Sequence, residues 1–254
     1  MLTGLDYLFI ALASVAAGLV NAVAGGGTLI TFPVLTAVGV PAVPANVTNT
    51  VALCPGFFGA TLAQREALRG QRRRLWITVP VGVIGGIIGG VLLLATNEET
   101  FRGIIPFLLL LASALLAAQD WLRAWLIRWK WHHVSGHVSD LRVALPLALG
   151  AVYGGYFGAG LGVMMLAMFG LLLDDSLTRL NALKSVIALV INVAASLFFV
   201  FSGEVVWPVA GVMAVGALIG GACGGRLASR IRPETLRWVV VAIGLIAAVI
   251  YFVK

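Results

Sequence analysis

From Leu75 to Ala95 the chain runs for twenty-one residues without an Asp, Glu, Lys, Arg or His. An apolar run of about 18 to 20 residues is long enough to cross the hydrocarbon core of a bilayer as a helix. In lipid every backbone N–H and C=O must bond within the protein, which leaves only helices and closed barrels. The alternating ten-residue segments of a barrel are absent from the sequence. Several other runs have the same character, and composition agrees: 61% of residues are hydrophobic and 11% charged, with a mean hydropathy of +1.05. A soluble domain is nearer 45–50% apolar and 25% charged. The fold class is therefore an all-α polytopic membrane protein. The net charge of +7 sits mostly in a few short connections, the pattern of positive-inside loops rather than of a nucleic-acid surface. Cys54 and Cys223 lie far apart in apolar segments and read as packing residues. The N-terminus has no basic leader, so the first helix is expected to be retained.

Sliding the sequence on itself by 135 positions aligns two halves without a gap. Gly25 and Gly27 fall on Gly160 and Gly162, Asn46 on Asn181, Thr50 on Ser185, and Gly85, Gly86, Gly89 and Gly90 on Gly220, Gly221, Gly224 and Gly225. In a polar connection, Glu99-Thr100-Phe-Arg102 falls on Glu234-Thr235-Leu-Arg237. Such self-similarity marks an internal repeat. The connection holding Arg65, Arg69, Arg72, Arg73 and Arg74 should be cytoplasmic, whereas its mate carries only Glu204. Conversely, the loop with Glu98 and Glu99 has a mate rich in arginine, at Arg226, Arg230 and Arg232. Equivalent loops then face opposite sides, so the expectation is two inverted-topology repeats, each a glycine-broken hairpin plus three spanning helices. Residues 1–122 form the first repeat, 123–142 a cytoplasmic interfacial linker and 143–254 the second repeat. Both termini are expected outside. Asn46 or Thr48 is a candidate cap for the third helix, placed at residues 45–64.

The break at Gly25-Gly26-Gly27 is what points to a site. Glycine costs about 1 kcal/mol against alanine inside a helix, and irregular backbone at membrane depth is tolerated only when buried in protein or lining a wet cavity. Residues 28–40 and 163–173 after the breaks are too short to cross, at 1.5 Å per residue. Their N-terminal N–H groups and positive dipole ends point toward the middle of the protein, where they favour an anion. The candidate substrate-binding residues are Gly25, Gly26, Gly27, Thr28, Gly160 and Gly162 at the breaks, with Asn21 and Tyr156 just before them as donors. Asn49, Thr50, Asn181, Lys184 and Ser185 add polar faces at helical spacing. Lys184 is an ionisable residue near the start of a membrane helix, a functional candidate by default, with snorkelling to the surface as the alternative. His132, His133 and His137 lie in the tryptophan-rich linker and read as a headgroup-level loop rather than a metal site. The sequence contains no catalytic or nucleotide-binding motif and no intramembrane carboxylate pair, so neither enzyme activity nor a cofactor is expected.

The stretch Ala24-Gly25-Gly26-Gly27-Thr28-Leu-Ile-Thr-Phe-Pro33 precedes Asn46-Val-Thr48-Asn49-Thr50. The second half has Gly158-Ala-Gly160-Leu-Gly162 with Asn181-Ala-Leu-Lys184-Ser185. Together these resemble the sulfite exporter TauE/SafE family over nearly the whole chain. The resemblance implies a multi-pass secondary transporter of the bacterial inner membrane that exports sulfite, organosulfonates such as sulfoacetate, or related carboxylates. Where Pro33 stands in the first half, the second has Met168, and the second glycine run is interrupted. The expected partners are a small anion and the lipid bilayer, with no nucleic acid; a coupling ion such as H+ and a homodimer stay open. Two other readings remain at this stage, an uptake carrier for a cation or neutral metabolite and a membrane scaffold that transports nothing.

Overall fold

The computed structural model describes residues 2–23, 26–132, 143–227 and 233–253. Among them the chain is helical throughout, with no strand. The first half contains α1 (Gly4–Val23), α2 (Thr28–Ala37), α3 (Ala42–Ala63), a short 3-10 turn (Arg65–Leu68), α4 (Arg72–Ala95) and α5 (Glu98–Ala117). A short helix α6 (Gln119–His132) follows, then α7 (Ala144–Tyr156), α8 (Leu161–Leu172), α9 (Leu177–Val200), α10 (Trp207–Leu227) and α11 (Pro233–Val253). Shifted by 135, the helices of the first half fall on α7 to α11 in order. Five described helices, α1, α4, α5, α9 and α11, are long and apolar enough to cross a membrane. The protein is thus a multi-pass membrane protein.

Contacts exchange in pairs when the halves are swapped. α1 packs mainly on α10, and its mate α7 packs mainly on α4; α4 also packs on α9, and α10 on α3. The self-paired contacts are α3 with α9 and α5 with α11. Both run antiparallel. Cys54, Thr61 and Gln64 of α3 meet Ser196, Ser185 and Asn181 of α9 in reverse order, while Ser113 lies beside Gly244 and Phe107 packs on Phe252.

Glycine makes the close crossings possible, as small residues do where lipid offers no hydrophobic drive between helices. Gly82, Gly86 and Gly90 turn toward α9, against Ile187, Ile191 and Phe199. Gly85 and Gly89, on the adjoining stripe, turn toward α7, where an added Cβ on Gly89 would sit 2.7 Å from the Tyr156 nitrogen. In the other half Gly216 and Gly220 approach Ala11, Ser14 and Val15 of α1 in the same manner.

The helix ends are set by specific caps. Asn97 Oδ1 accepts from Thr100 N at 2.7 Å to start α5, and Ser176 starts α9 by accepting from Arg179 N. Asn46 and Thr48 are not caps. α3 begins earlier, at Ala42, behind Pro41, and its first N–H groups donate to a carboxylate from another connection: Ala42 N and Val43 N bond Glu98 at 2.5 and 2.9 Å. Proline at 41 supplies no side-chain acceptor, so a neighbouring anion takes the role. The segment expected to be an interfacial linker is helical through His132, as part of α6; His133 and His137 lie outside the described residues.

The first-half connection at residues 64–71 and the turn at 173–176 share one end of the molecule. Arg179 Nη1 donates to Arg69 O at 2.8 Å, Gln71 Nε2 to Arg179 O at 3.0 Å, and Asp175 pairs with both Arg74 and Arg179. Arg237 of α11 pairs with Asp120 of α6. Burial alone would raise the Asp175 carboxyl, but hydrogen bonds from Arg179, Arg74 and the Ser176 N–H outweigh it and hold it below its ordinary 3.8. A depressed carboxylate contributes stability that is complete above the unfolded value and lost as pH falls through the folded one. Asp175→Asn is therefore expected to cost about 1–2 kcal/mol at pH 7, with the difference from wild type vanishing in thermal unfolding below pH 3.8. A pH-independent deficit would assign Asp175 another role.

Candidate functional site

Both hairpin tips are built from positive-φ glycine and tied down by side chains. Gly26 has φ +92°, Gly158 +74° and Gly160 +73°, conformations that side chains other than glycine rarely adopt. At the first tip Asn21 Oδ1 accepts from Gly27 N at 2.8 Å, and the first turn of α2 closes through Leu29 N to Gly26 O. At the second, Tyr153 OH donates to Ala159 O at 2.6 Å. Asn21 and Tyr153 thus hold the breaks in shape. Gly25 lies outside the described residues.

The polar turn of α3 reaches both hairpins. Asn49, 2% exposed, accepts from Thr31 Oγ1 at 2.5 Å and donates to Thr28 Oγ1 at 3.4 Å, so it sits against the start of α2. One turn earlier, Asn46 Nδ2 donates to Tyr156 O at 2.7 Å, at the end of α7, and its Oδ1 is buried without a partner. Beside this bridge Phe32 of α2 meets Phe157 edge-on, 5.4 Å between centroids. Thr31 was not singled out in the sequence, yet it stands three residues after Thr28 on the same helical face, a signal that spacing carries.

In the second half the position equivalent to Asn49 is Lys184. Its chain lies along Gly162 in the first turn of α8: a Cβ built on Gly162 would be 3.7 Å from Lys184 Cδ and 3.8 Å from Nζ. No acidic side chain pairs with Lys184 among the described residues. Beyond the first turn of each helix, no Asp, Glu, Arg, His or second Lys occurs in α1, α2, α3, α7, α8 or α9. Each half therefore places one polar side chain of its third helix over the N-terminus of its short helix, an amide in one and an ammonium in the other.

The remaining candidates are placed elsewhere. Asn181 Nδ2 donates to Gln64 Oε1 at 2.6 Å, and Ser185 accepts from Gln64 Nε2 at 2.9 Å, so both join α9 to the end of α3 rather than facing the second tip. Thr50 Oγ1 donates to Asn46 O within its own helix. Tyr156 contributes its carbonyl to Asn46, and its hydroxyl lies 3.4 Å from Thr96 Oγ1. Gln64 escaped notice in the sequence because it stands at a helix end among loop residues. Among the described residues no group of three or more His, Cys, Asp or Glu is arranged to hold a metal.

Two like halves of apolar helices, each with a glycine-broken hairpin held at its tip, define a multi-pass membrane protein with a transporter's architecture. The sequence model of the sulfite exporter TauE/SafE family matches residues 10–251. The chain belongs to that family. It is similar to a "Probable membrane transporter protein" of Haemophilus influenzae, 26% identical over 217 residues covering 83% of this chain and 80% of that one. It is also 26% identical over 236 residues to "Probable membrane transporter protein YfcA" of Escherichia coli K12, covering 89% and 82%. "Probable membrane transporter protein ORF9" of a Sinorhizobium species is 25% identical over 257 residues, covering 96% and 91%. No solved structure matches the chain. The protein is a membrane transporter.

Proposed function

We propose that the protein is a secondary exporter of small anions, such as sulfite, organosulfonates or related carboxylates, working by alternating access between the two hairpin tips. The observation that carries this reading is Lys184, a cationic side chain without an acidic partner among the described residues, laid along Gly162 at the start of α8. A helix N-terminus and an ammonium both favour negative charge, and in transporters built this way half-helix N-termini point at anionic groups. Asn49, Thr28 and Thr31 offer the equivalent uncharged arm on the first half.

The antiparallel α3/α9 and α5/α11 contacts support an inverted repeat whose two-fold axis lies in the membrane plane. On this reading the end bearing Arg69, Arg72, Arg74 and Arg179 is cytoplasmic, both termini are outside, and the membrane is the bacterial inner membrane. The halves, residues 1–122 and 143–254, then rock about the site with a proton as coupling ion.

The test is flux from proteoliposomes loaded with sulfite, sulfoacetate or lactate. Wild type is expected to release at least one of the sulfur oxyanions faster than protein-free vesicles. Gly26→Leu, which forces a side chain into a positive-φ position 2.9 Å from Leu116 Cδ2, is expected to insert and lose that flux. Release at the protein-free rate for every anion would overturn the reading.

A further inference from the structure

We infer that the site takes a small monoanion whose far end is polar but uncharged, and discriminates against dianions. This rests on the anion-transport reading above and deepens it. The swap of halves places two side chains in equivalent positions, Asn49 and Lys184, and the chain has made them chemically unequal. Asn49 is already part of a neutral network of amide and hydroxyls: Thr31 Oγ1 donates to its Oδ1, and its Nδ2 donates to Thr28 Oγ1. These groups can donate or accept toward an uncharged polar end.

Lys184 makes no ion pair among the described residues, so its charge is left for a ligand. The elements packed around it add no second charge. α3 and α8 contain no acidic or basic residue, and α7 contributes only Tyr153, whose hydroxyl is committed to Ala159 O. Along α9 the next charged group, Arg179, is turned to Asp175 and to Arg69 O. Asn46, the other polar group on the bridging turn of α3, ends in a buried carbonyl oxygen without a donor.

A buried charge that finds no opposite partner is costly. One ammonium can neutralise one negative charge. The second charge of a dianion would be left among Asn49, the threonine hydroxyls and the lone acceptor of Asn46, which repels it. A hydroxyl or amide at the same place meets both donors and acceptors. The predicted ligand class is therefore a hydroxyalkylsulfonate or hydrogensulfite-like monoanion rather than a sulfonate bearing a second acid.

The experiment uses two probes of nearly the same shape, isethionate and sulfoacetate, which differ in whether the end opposite the sulfonate is a hydroxyl or a carboxylate. Dissociation constants are measured by calorimetry on the full-length protein in detergent at pH 7.5. Isethionate is expected to bind wild type at least tenfold more tightly than sulfoacetate. Asn49→Lys, which gives the first half the second half's charge, should shift that ratio at least tenfold toward sulfoacetate. Equal binding of the two probes to wild type, or tighter sulfoacetate, overturns the inference and leaves anion transport standing. Failure of wild type to bind either probe, with no flux of any anion in the vesicle assay, would remove the parent reading instead. If Asn49→Lys does not fold, the wild-type ratio alone decides.

Discussion

Gly89→Ala is expected to destabilise the protein by roughly 3 kcal/mol or more, while Gly211→Ala, a glycine in a helix of the same kind, is expected to be neutral or slightly stabilising. Intrinsic propensity gives both substitutions the same sign, because alanine is better than glycine in a helix interior by up to about 1 kcal/mol. Packing separates them. A methyl on Gly89 would overlap the Val152 carbonyl and come within 2.7 Å of the Tyr156 nitrogen and 2.9 Å of the Gly155 carbonyl carbon, so backbone meets backbone and no rotamer can relieve it. Around Gly211 nothing lies within 4 Å. To admit the Gly89 methyl, α4 and α7 must move apart, and α7 carries the second tip. Thermal unfolding and the monodisperse fraction in detergent measure the effect. Similar stability for the two variants would show that the α4/α7 crossing is looser than these distances require.

The same crossing explains what could be read from the chain beforehand. The repeat is visible because glycine at a close helix contact cannot be exchanged for a larger residue without moving backbone, so Gly85 and Gly220 keep the offset through which α4 meets α7 and α10 meets α1. Lys184 stands out for a related reason: charge at membrane depth is costly, and a lone instance is conspicuous. Periodicity gives the face of a helix but not what that face meets. Asn181 and Ser185 share spacing with the tip-facing residues, yet Gln64, more than a hundred positions away in sequence, takes both. The start of α3 failed for the same cause, since its cap is the Glu98 carboxylate from a connection fifty-five residues distant. Local rules look for a cap within a few residues, and Pro41 offered none.

Lys184→Met is expected to produce opposite changes in stability and transport. Methionine has nearly the volume and flexibility of lysine without the charge. An ammonium at the centre of a membrane helix costs about 2.5–3.5 kcal/mol on insertion scales, and Lys184 has no acidic partner among the described residues to offset it. Removing that charge should raise the melting temperature in detergent, by an amount corresponding to about 1–3 kcal/mol once partial hydration of the ammonium is allowed for. A residue kept for packing would not behave this way, because methionine would at best match it. Transport should move in the other direction. Hydrogen bonds to charged groups contribute about 1.5–3 kcal/mol each, and every 1.4 kcal/mol is a tenfold change, so anion flux should fall by one to two orders of magnitude. Sites that hold uncompensated charge for a ligand commonly trade stability for activity in this manner. The stabilisation of wild type by added isethionate, which arises because the ligand binds only the folded state, should disappear in the variant at the same concentrations. A variant that melts lower than wild type and still carries anions would make Lys184 a structural residue and leave the second hairpin without a recognised charge for its substrate.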